Sequence, residues 1–376
     1  MRFVIFSGKN NDYIPPLANG LYEQLIQMGH SVYLLNNGIY WLRSHSFIHL
    51  LIADLFHLKK NLKLKKKFFQ YYFFSLLFFW VKHRKRILEA DCLIVVCNCP
   101  QVFYKNNLRR IEWLRKRFDG PIVNYDLHYM PNQGWFKKIK KENKYNFGLE
   151  RFDWYLPASL TMEFAIPRQL PKIYDCIGFN VKSDDLFPEQ NDFIALLDFP
   201  RKGYEKERAV QKEALKKANV PYIELKGHYT RDEIRKLYRK CSLYFVSCRE
   251  SFCLPVLETQ LCGDIVFTPY EKWLPAHMLD KNLYEFGVTH LGRNFRVYHN
   301  NEDELVKLIN VVKKDFSAKR NVENFKEDYP YYFAINEKNM ISFVDRISNK
   351  TVTKNTHMDF LGLNDYLSMS DDVILY

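Results

Sequence analysis

The chain has 376 residues, 47% of them hydrophobic, and a formal net charge of +13. That length exceeds one ordinary core and predicts two domains, while the apolar share excludes wholesale disorder. The charge calls for acidic partners: phosphates, anionic lipid or nucleic acid. The eight cysteines sit mostly in apolar runs and form no Cys-x-x-Cys pair, which points to free thiols in a reducing cytoplasm and away from a disulfide framework or a zinc site. The opening apolar run is too short for a signal peptide, and no stretch is long enough for a transmembrane helix.

In chain order, Arg2 to Phe6 predicts a strand, residues 8–12 a polar loop, and Leu17 to Met28 a helix with Leu17, Leu21, Leu25 and Met28 on one face. Gly29-His30 ends that helix, and Ser31 to Leu35 is the next strand. This is a βαβ unit, whose loop falls at the carboxyl end of the first strand, where open α/β sheets bind ligands.

The charge is concentrated in residues 55–88, which hold ten basic residues and no acidic one. Within them, Phe68 to Val81 is an aromatic block flanked by Lys65, Lys66 and Lys67 and by Arg84, Lys85 and Arg86. As a helix it would be about 21 Å long, short of the roughly 30 Å of a bilayer core. It suits a helix lying at an anionic membrane surface, with Phe73, Phe74 and Trp80 at headgroup depth; a buried helix with basic ends is the alternative.

Strands are expected at Cys92 to Cys97, Ile122 to Asp126 and Trp154 to Leu156, with a basic helix over 107–118. Residues 179–190 read as a linker. A second α/β series follows: strand Phe193 to Leu197, helix Lys206 to Ala218, strand Tyr222 to Leu225, and a helix from Thr230 to Arg239 with Thr230 and Glu233 in capping-box spacing. Leu243 to Val246 and Ile265 to Thr268 are further strands, and Asn301 opens a helix over 304–316.

Between those two strands stands the most informative stretch, Arg249-Glu250-Ser251-Phe252-Cys253-Leu254-Pro255-Val256-Leu257-Glu258, followed by Cys262-Gly263. Pro255 suits the first helical position and Gly263 the stop. The N–H groups of Phe252, Cys253 and Leu254 would then face outward at the positive end of a helix, a site for phosphate, with two carboxylates to hold hydroxyls.

These residues, with Gly227-His228-Tyr229-Thr230 and Cys241 to Ser247 before them, resemble the donor-binding half of retaining GT-B glycosyltransferases, whose signature is two glutamates seven residues apart. The resemblance implies an α/β chain of two Rossmann-like, doubly wound domains facing a central cleft. The expected division is 1–188 for the acceptor domain, 189–330 for the donor domain and 331–376 for a C-terminal helix and tail. It also implies a hexosyltransferase-like enzyme that uses no metal and no cofactor, with a UDP- or GDP-sugar as substrate.

By the same resemblance, Glu258 holds the ribose and Glu250 the transferred sugar. Ser251, Phe252, Cys253, Leu254 and Gly227 line the donor, and Arg201 and Lys202, with Lys206 in reserve, neutralise the diphosphate. Cys253 stands where glycine is usual, and Leu197-Asp198 where the family has Gly-Arg. His128 is the candidate for contacts at the reacting centre. Gly8 and Lys9 are acceptor-side candidates, and Asp126 is an acceptor-side base or, preferably, a strand-end cap. The chain contains no Asp-x-Asp pair, which counts against metal-dependent relatives.

The membrane segment favours a lipid-linked or cell-surface glycan as acceptor, and a cytoplasmic protein peripheral to the inner face of the membrane. A DNA glucosyltransferase is the alternative. The basic residues flank an apolar block instead of lining a groove, which disfavours nucleic acid. A catalytically silent sugar-nucleotide binder is the third possibility.

Overall fold

The computed structural model describes residues 1–8, 14–43, 78–97, 110–128, 152–159, 174–180, 184–246, 253–270, 291–299, 301–332, 334–354 and 356. They form two compact units. The first takes its described residues from 1–159, 174–180 and 335–354, and the second from 184–334.

The first unit contains β1 (Arg2–Phe6), α1 (Ile14–Gln27), β2 (Ser31–Leu35), α2 (Gly38–Arg43), α3 (Phe79–Leu88), β3 (Cys92–Val96), α4 (Arg110–Arg115), β4 (Ile122–His128) and β5 (Trp154–Ser159). Its sheet is parallel throughout, in the order β2-β1-β3-β4-β5. All five residues of β3 are buried, as a strand covered on both faces requires.

The first helix begins three residues earlier than the apolar periodicity suggests. Pro15 and Pro16 fit its first turn because the N–H groups there have no intrahelical partner. Ile14, Leu17, Leu21 and Leu25 make its buried stripe, and Gly29 ends it at φ +83°.

Residues 51–77, including most of the aromatic block, lie outside the described residues, and its end opens α3. Phe79 and Ile87 are buried, and Trp80 stacks on Trp41 at 5.8 Å while meeting Trp113 edge-on at 4.7 Å. Tyr33 carries Arg86 over its ring and hydrogen-bonds His83 at 2.9 Å.

At the amino edge of this sheet, Arg115 donates to both oxygens of Asp153 (3.0 and 2.7 Å), and Oδ2 of Asp153 also accepts from the Ile122 N–H at 2.8 Å. The last helix among the described residues also belongs to this unit. It is α10 (Glu337–Ser348), labelled in sequence after the helices of the second unit, and it buries Met340, Phe343 and Ile347. Phe343 meets Phe3, and Arg346 bonds Asp175 at 3.1 Å.

The second unit contains β6 (Ala195–Leu197), α5 (Glu205–Lys217), β7 (Tyr222–Glu224), α6 (Arg231–Lys240), β8 (Leu243–Phe245), α7 (Leu254–Leu261), β9 (Ile265–Pro269), β10 (Phe295–Tyr298), α8 (Glu302–Lys314) and α9 (Ala318–Asp328). Its sheet is again parallel, in the order β10-β9-β8-β6-β7. Leu197, Leu215, Phe245, Phe267, Tyr298 and Ile309 centre its core.

The Thr230–Glu233 capping box forms as its spacing predicts: the Glu233 N–H donates to the Thr230 hydroxyl at 3.3 Å and the Thr230 N–H to the Glu233 carboxylate at 2.7 Å. The described part of the expected linker is fastened to α6. Asp185 bonds Arg235, the Glu189 carboxylate lies 3.1 Å from Arg239 Nε as an ion pair, and Arg239 lies over the Phe187 ring. Gln190 then donates to the carbonyls of Cys241 and Cys262, both at 2.7 Å.

Candidate functional site

Counted along its own strands, the second sheet runs 2-1-3-4-5, so its order reverses between β6 and β8. Ligands of doubly wound sheets bind outside the carboxyl ends of the strands at that reversal. Two segments leave the sheet there: the loop after β6, Asp198-Phe199-Pro200-Arg201-Lys202-Gly203, and the connection from β8 to α7.

The β6 loop is shaped by its own backbone. Gly203 turns at φ +92°, a left-handed conformation that suits glycine, and its N–H is held by the Glu205 carboxylate at 2.9 Å. The Asp198 carbonyl accepts from the Arg208 guanidinium at 2.6 Å. Arg201, Lys202 and Lys206 are exposed. The Asp198 side chain is buried, and burial raises its carboxyl above the usual range although the Phe199 N–H, the Tyr244 hydroxyl, Arg201 and Arg208 all favour the ionised form.

The next loop, after β7, turns at Gly227 with φ +76° and lays Tyr229 edge-on against Phe199 at 6.0 Å.

Cys253 is the N-cap of α7 in extended conformation and supplies no side-chain cap. Leu254 opens the helix and Pro255 takes its second position, one later than the sequence suggests; an N–H is dispensable at either place. The Cys253 side chain therefore leaves the positive end of the first turn without a cap bond of its own. One turn further, Glu258 bonds Arg235 of α6. Arg235 Nε donates to Glu258 Oε1 at 3.1 Å and its terminal nitrogen bonds the same oxygen, while Arg231 stands 4.0 Å from it.

The opposite side of the Arg235 guanidinium bonds Asp185. Burial would raise the Asp185 carboxyl, but the bond to Arg235 and its charge outweigh that and hold it below the ordinary value. Tyr238 and Tyr244 join the two segments: burial pushes both phenols well up, helped by Glu258, Cys253 and Asp198 for Tyr238 and by Asp198 and Cys253 for Tyr244.

The structure thus brings Arg201, Lys202, Cys253, Leu254 and Glu258 to one edge of one sheet, with Gly227 on the neighbouring loop. Glu250, Ser251 and Phe252 lie outside the described residues, as do Lys9, Lys65, Lys66, Lys67, Phe73 and Phe74.

In the first unit, Gly8 follows β1, and the backbone of His128 closes β4 in register with Ser159. Asp126 is buried within β4, which runs two residues beyond the strand end expected there, and its carboxylate accepts the Leu127 N–H at 2.7 Å. Trp80, Arg84, Lys85 and Arg86 belong to α3.

Arg235 and Asp185 were not evident from sequence. Arg235 is one of several basic residues on a polar helix, and Asp185 lies in a stretch that reads as linker. The one usable signal was that Arg231 and Arg235 share a helix face at i, i+4.

Among the described residues, no three His, Cys, Asp or Glu side chains could hold a metal ion, and no helix is long and apolar enough to cross a membrane.

No family model and no curated protein matches the sequence. Among solved structures, the chain is similar to the catalytic domain of starch synthase IV from Arabidopsis thaliana, bound to ADP and acarbose. The identity is 8% and the TM-score 0.50, over 93% of this chain and 99% of that one. It is also similar to the E. coli trehalose-6-phosphate structure bound with UDP-2-fluoro glucose (11%, TM-score 0.47, 98% and 100% covered) and to CalG4, the calicheamicin glycosyltransferase (12%, TM-score 0.40, 93% and 98%). The chain therefore has the α/β fold of GT-B glycosyltransferases, with two parallel-sheet domains. It is a glycosyltransferase-like fold; the chemistry must be argued from the site.

Proposed function

We propose that the chain transfers a sugar from a nucleotide-sugar donor to a glycan or lipid-linked acceptor, with retention of configuration and without a metal. One observation carries this above the others. Glu258, ordered by Arg235, stands one turn inside a helix that follows the strand at the sheet's order reversal, where the cation-bearing β6 loop also leaves. A carboxylate for hydroxyls, helix N–H groups for phosphate and exposed cations for a leaving diphosphate form a complementary set for a nucleoside diphosphate sugar.

In this proposal Glu258 binds the ribose, and Arg201 and Lys202, backed by Lys206, stabilise the diphosphate as its charge grows. The N–H groups of Ser251, Phe252, Cys253 and Leu254 contact donor phosphate and sugar beside Gly227. Glu250 and His128 act at the transferred sugar, and Gly8, Lys9 and Asp126 lie on the acceptor side. UDP and GDP are the preferred nucleotides.

The test is a thermal-shift panel of UDP-, GDP-, ADP-, TDP- and CMP-sugars on the full chain. A binder at a hundred times its Kd stabilises the fold by about 2.7 kcal/mol. Turnover of the best binder should follow and should fall in Glu250→Gln and His128→Ala. A panel without a shift, or full turnover in Glu250→Gln, would overturn the corresponding assignment.

Association of a cytoplasmic protein with the anionic inner face of the membrane is the second part of the proposal. Support comes from α3 and its N-cap, where Phe78 and Val81 are exposed at 54% and 67% beside exposed Lys82, Arg84 and Lys85. Flotation with phosphatidylglycerol vesicles tests it. Retention that disappears when Lys65 to Lys67 and Arg84 to Arg86 are neutralised is expected, and absence of binding removes the idea.

A further inference from the structure

The contacts on Glu258 are one-sided. Both Arg235 bonds and the nearby Arg231 charge fall on Oε1; among the described residues, none falls on Oε2. Arg235 is itself only 5% exposed and its third bonding direction is taken by Asp185, whereas Glu258 keeps 13% of its side chain exposed. A carboxylate used only as a structural counter-ion would more naturally meet a guanidinium fork with both oxygens, since two parallel bonds match the two planar groups. Here the fork is turned so that two N–H groups converge on one oxygen and the third faces a different acid.

We infer that Arg235, braced by Asp185, is a positioning residue that fixes the Glu258 carboxylate with Oε2 presented to the vicinal diol of a ribose. This rests on the proposed nucleotide-sugar site and adds to it the residue that sets its preference for ribose. A carboxylate oxygen has two lone-pair directions, and a cis-diol has two hydroxyl donors to fill them. Locking the other oxygen removes rotamer freedom that a loose glutamate would lose on binding. It also keeps Oε2 from folding back onto the cation. Arg235 touches no ligand in this scheme; it acts through Glu258.

The bracing has a second consequence. Asp185 lies on the segment that enters the second unit, so the bond from Asp185 to Arg235 ties the orientation of Glu258 to the start of that unit.

The experiment compares ribonucleotides with their 2′,3′-dideoxy forms on the full chain. UDP, GDP and ADP, with ddUDP, ddGDP and ddADP, are titrated calorimetrically into wild type, Arg235→Gln, Arg235→Lys and Asp185→Asn. Wild type should bind one ribonucleotide at least tenfold more tightly than its dideoxy form.

In Arg235→Gln that ratio should fall to within threefold while dideoxy affinity changes less than twofold. A purely structural defect would weaken both forms together. Arg235→Lys retains the charge but cannot direct two N–H groups at one oxygen and a third at Asp185, so its ratio should be intermediate. Asp185→Asn, at a half-exposed position and with an amide oxygen still able to accept from Arg235, should lower the ratio about threefold and keeps the test open if the Arg235 variants do not fold.

An unchanged ratio in Arg235→Gln and Asp185→Asn, or equal loss of both ligand forms, overturns the inference while leaving the donor site standing. Wild type that binds none of the six nucleotides overturns the functional proposal and the inference together.

Discussion

Each unit holds a well-buried arginine–carboxylate pair, and the two pairs are built differently. Arg115 and Asp153, at the amino edge of the first sheet, use both carboxylate oxygens on the guanidinium and spend Oδ2 again on the Ile122 N–H; their side chains are 8% and 0% exposed. Arg235 and Glu258 lie on helices of the second sheet, use one oxygen of the glutamate, and leave it 13% exposed. Burying ions costs several kcal/mol each, repaid only when their hydrogen-bonding capacity is filled. The first pair is filled by the protein alone, as a structural fastening should be. The second retains capacity for a ligand. The comparison shows that a buried ion pair is read by what it leaves unsatisfied, since distance and burial alone would class the two together.

The sharpest break in this symmetry comes from Arg115→Met. It removes both guanidinium bonds from the buried Asp153 carboxylate, so stability should fall by about 3–5 kcal/mol in urea denaturation. The second unit's chemistry should be untouched, with nucleotide affinity unchanged wherever the protein remains folded. A stable Arg115→Met variant would remove the structural half of the contrast.

Glu258→Ala should do the reverse. Affinity for the bound nucleotide should fall by about 10- to 100-fold, the scale of hydrogen bonds to a charged group. Calorimetric titration reads it, and wild-type affinity would end the ribose assignment.

The smallest effect concerns a buried acid with no guanidinium. Asp264, fully buried, accepts from Gln190 at 3.3 Å, and among the described residues its other oxygen has no hydrogen-bond partner. Burial pushes its carboxyl well above the usual value, and the Gln190 bond offsets only part of this. A folded pKa raised above the unfolded one gives stability that is complete below the unfolded value and declines as pH rises toward the folded one. Asp264→Asn cannot ionise, so its advantage over wild type should grow as pH rises above the ordinary carboxylate range of about 4. Parallel stability curves for the two proteins would contradict this.

Much of the scaffold was legible before the fold was known because local chemistry dictates it. The stripe of Leu17, Leu21 and Leu25, the Thr230–Glu233 box and the helix carrying Glu258 each depend on residues a few positions apart. Contacts across long separations were not legible. Asp185 and Arg235 are fifty residues apart, and nothing local marks either one. Asn339 reaches the Cys176 carbonyl at 2.6 Å, so a helix that reads as a C-terminal appendage completes the first unit. The early start of α1 at Ile14 was hidden for another reason: two prolines suggest a loop, yet the first helical turn tolerates both. Glu250 and Ser251 fall outside the described residues, so the sugar end of the site stands on the motif alone.

The most direct measurement is the thermal shift of the full chain with nucleoside diphosphates and their sugars, on wild type and Glu258→Ala in parallel. Wild type should be stabilised by at least one of them, and the shift should shrink or vanish in the variant at the same ligand concentration. No shift with any nucleotide, or an equal shift in both proteins, would contradict a donor site built around Glu258.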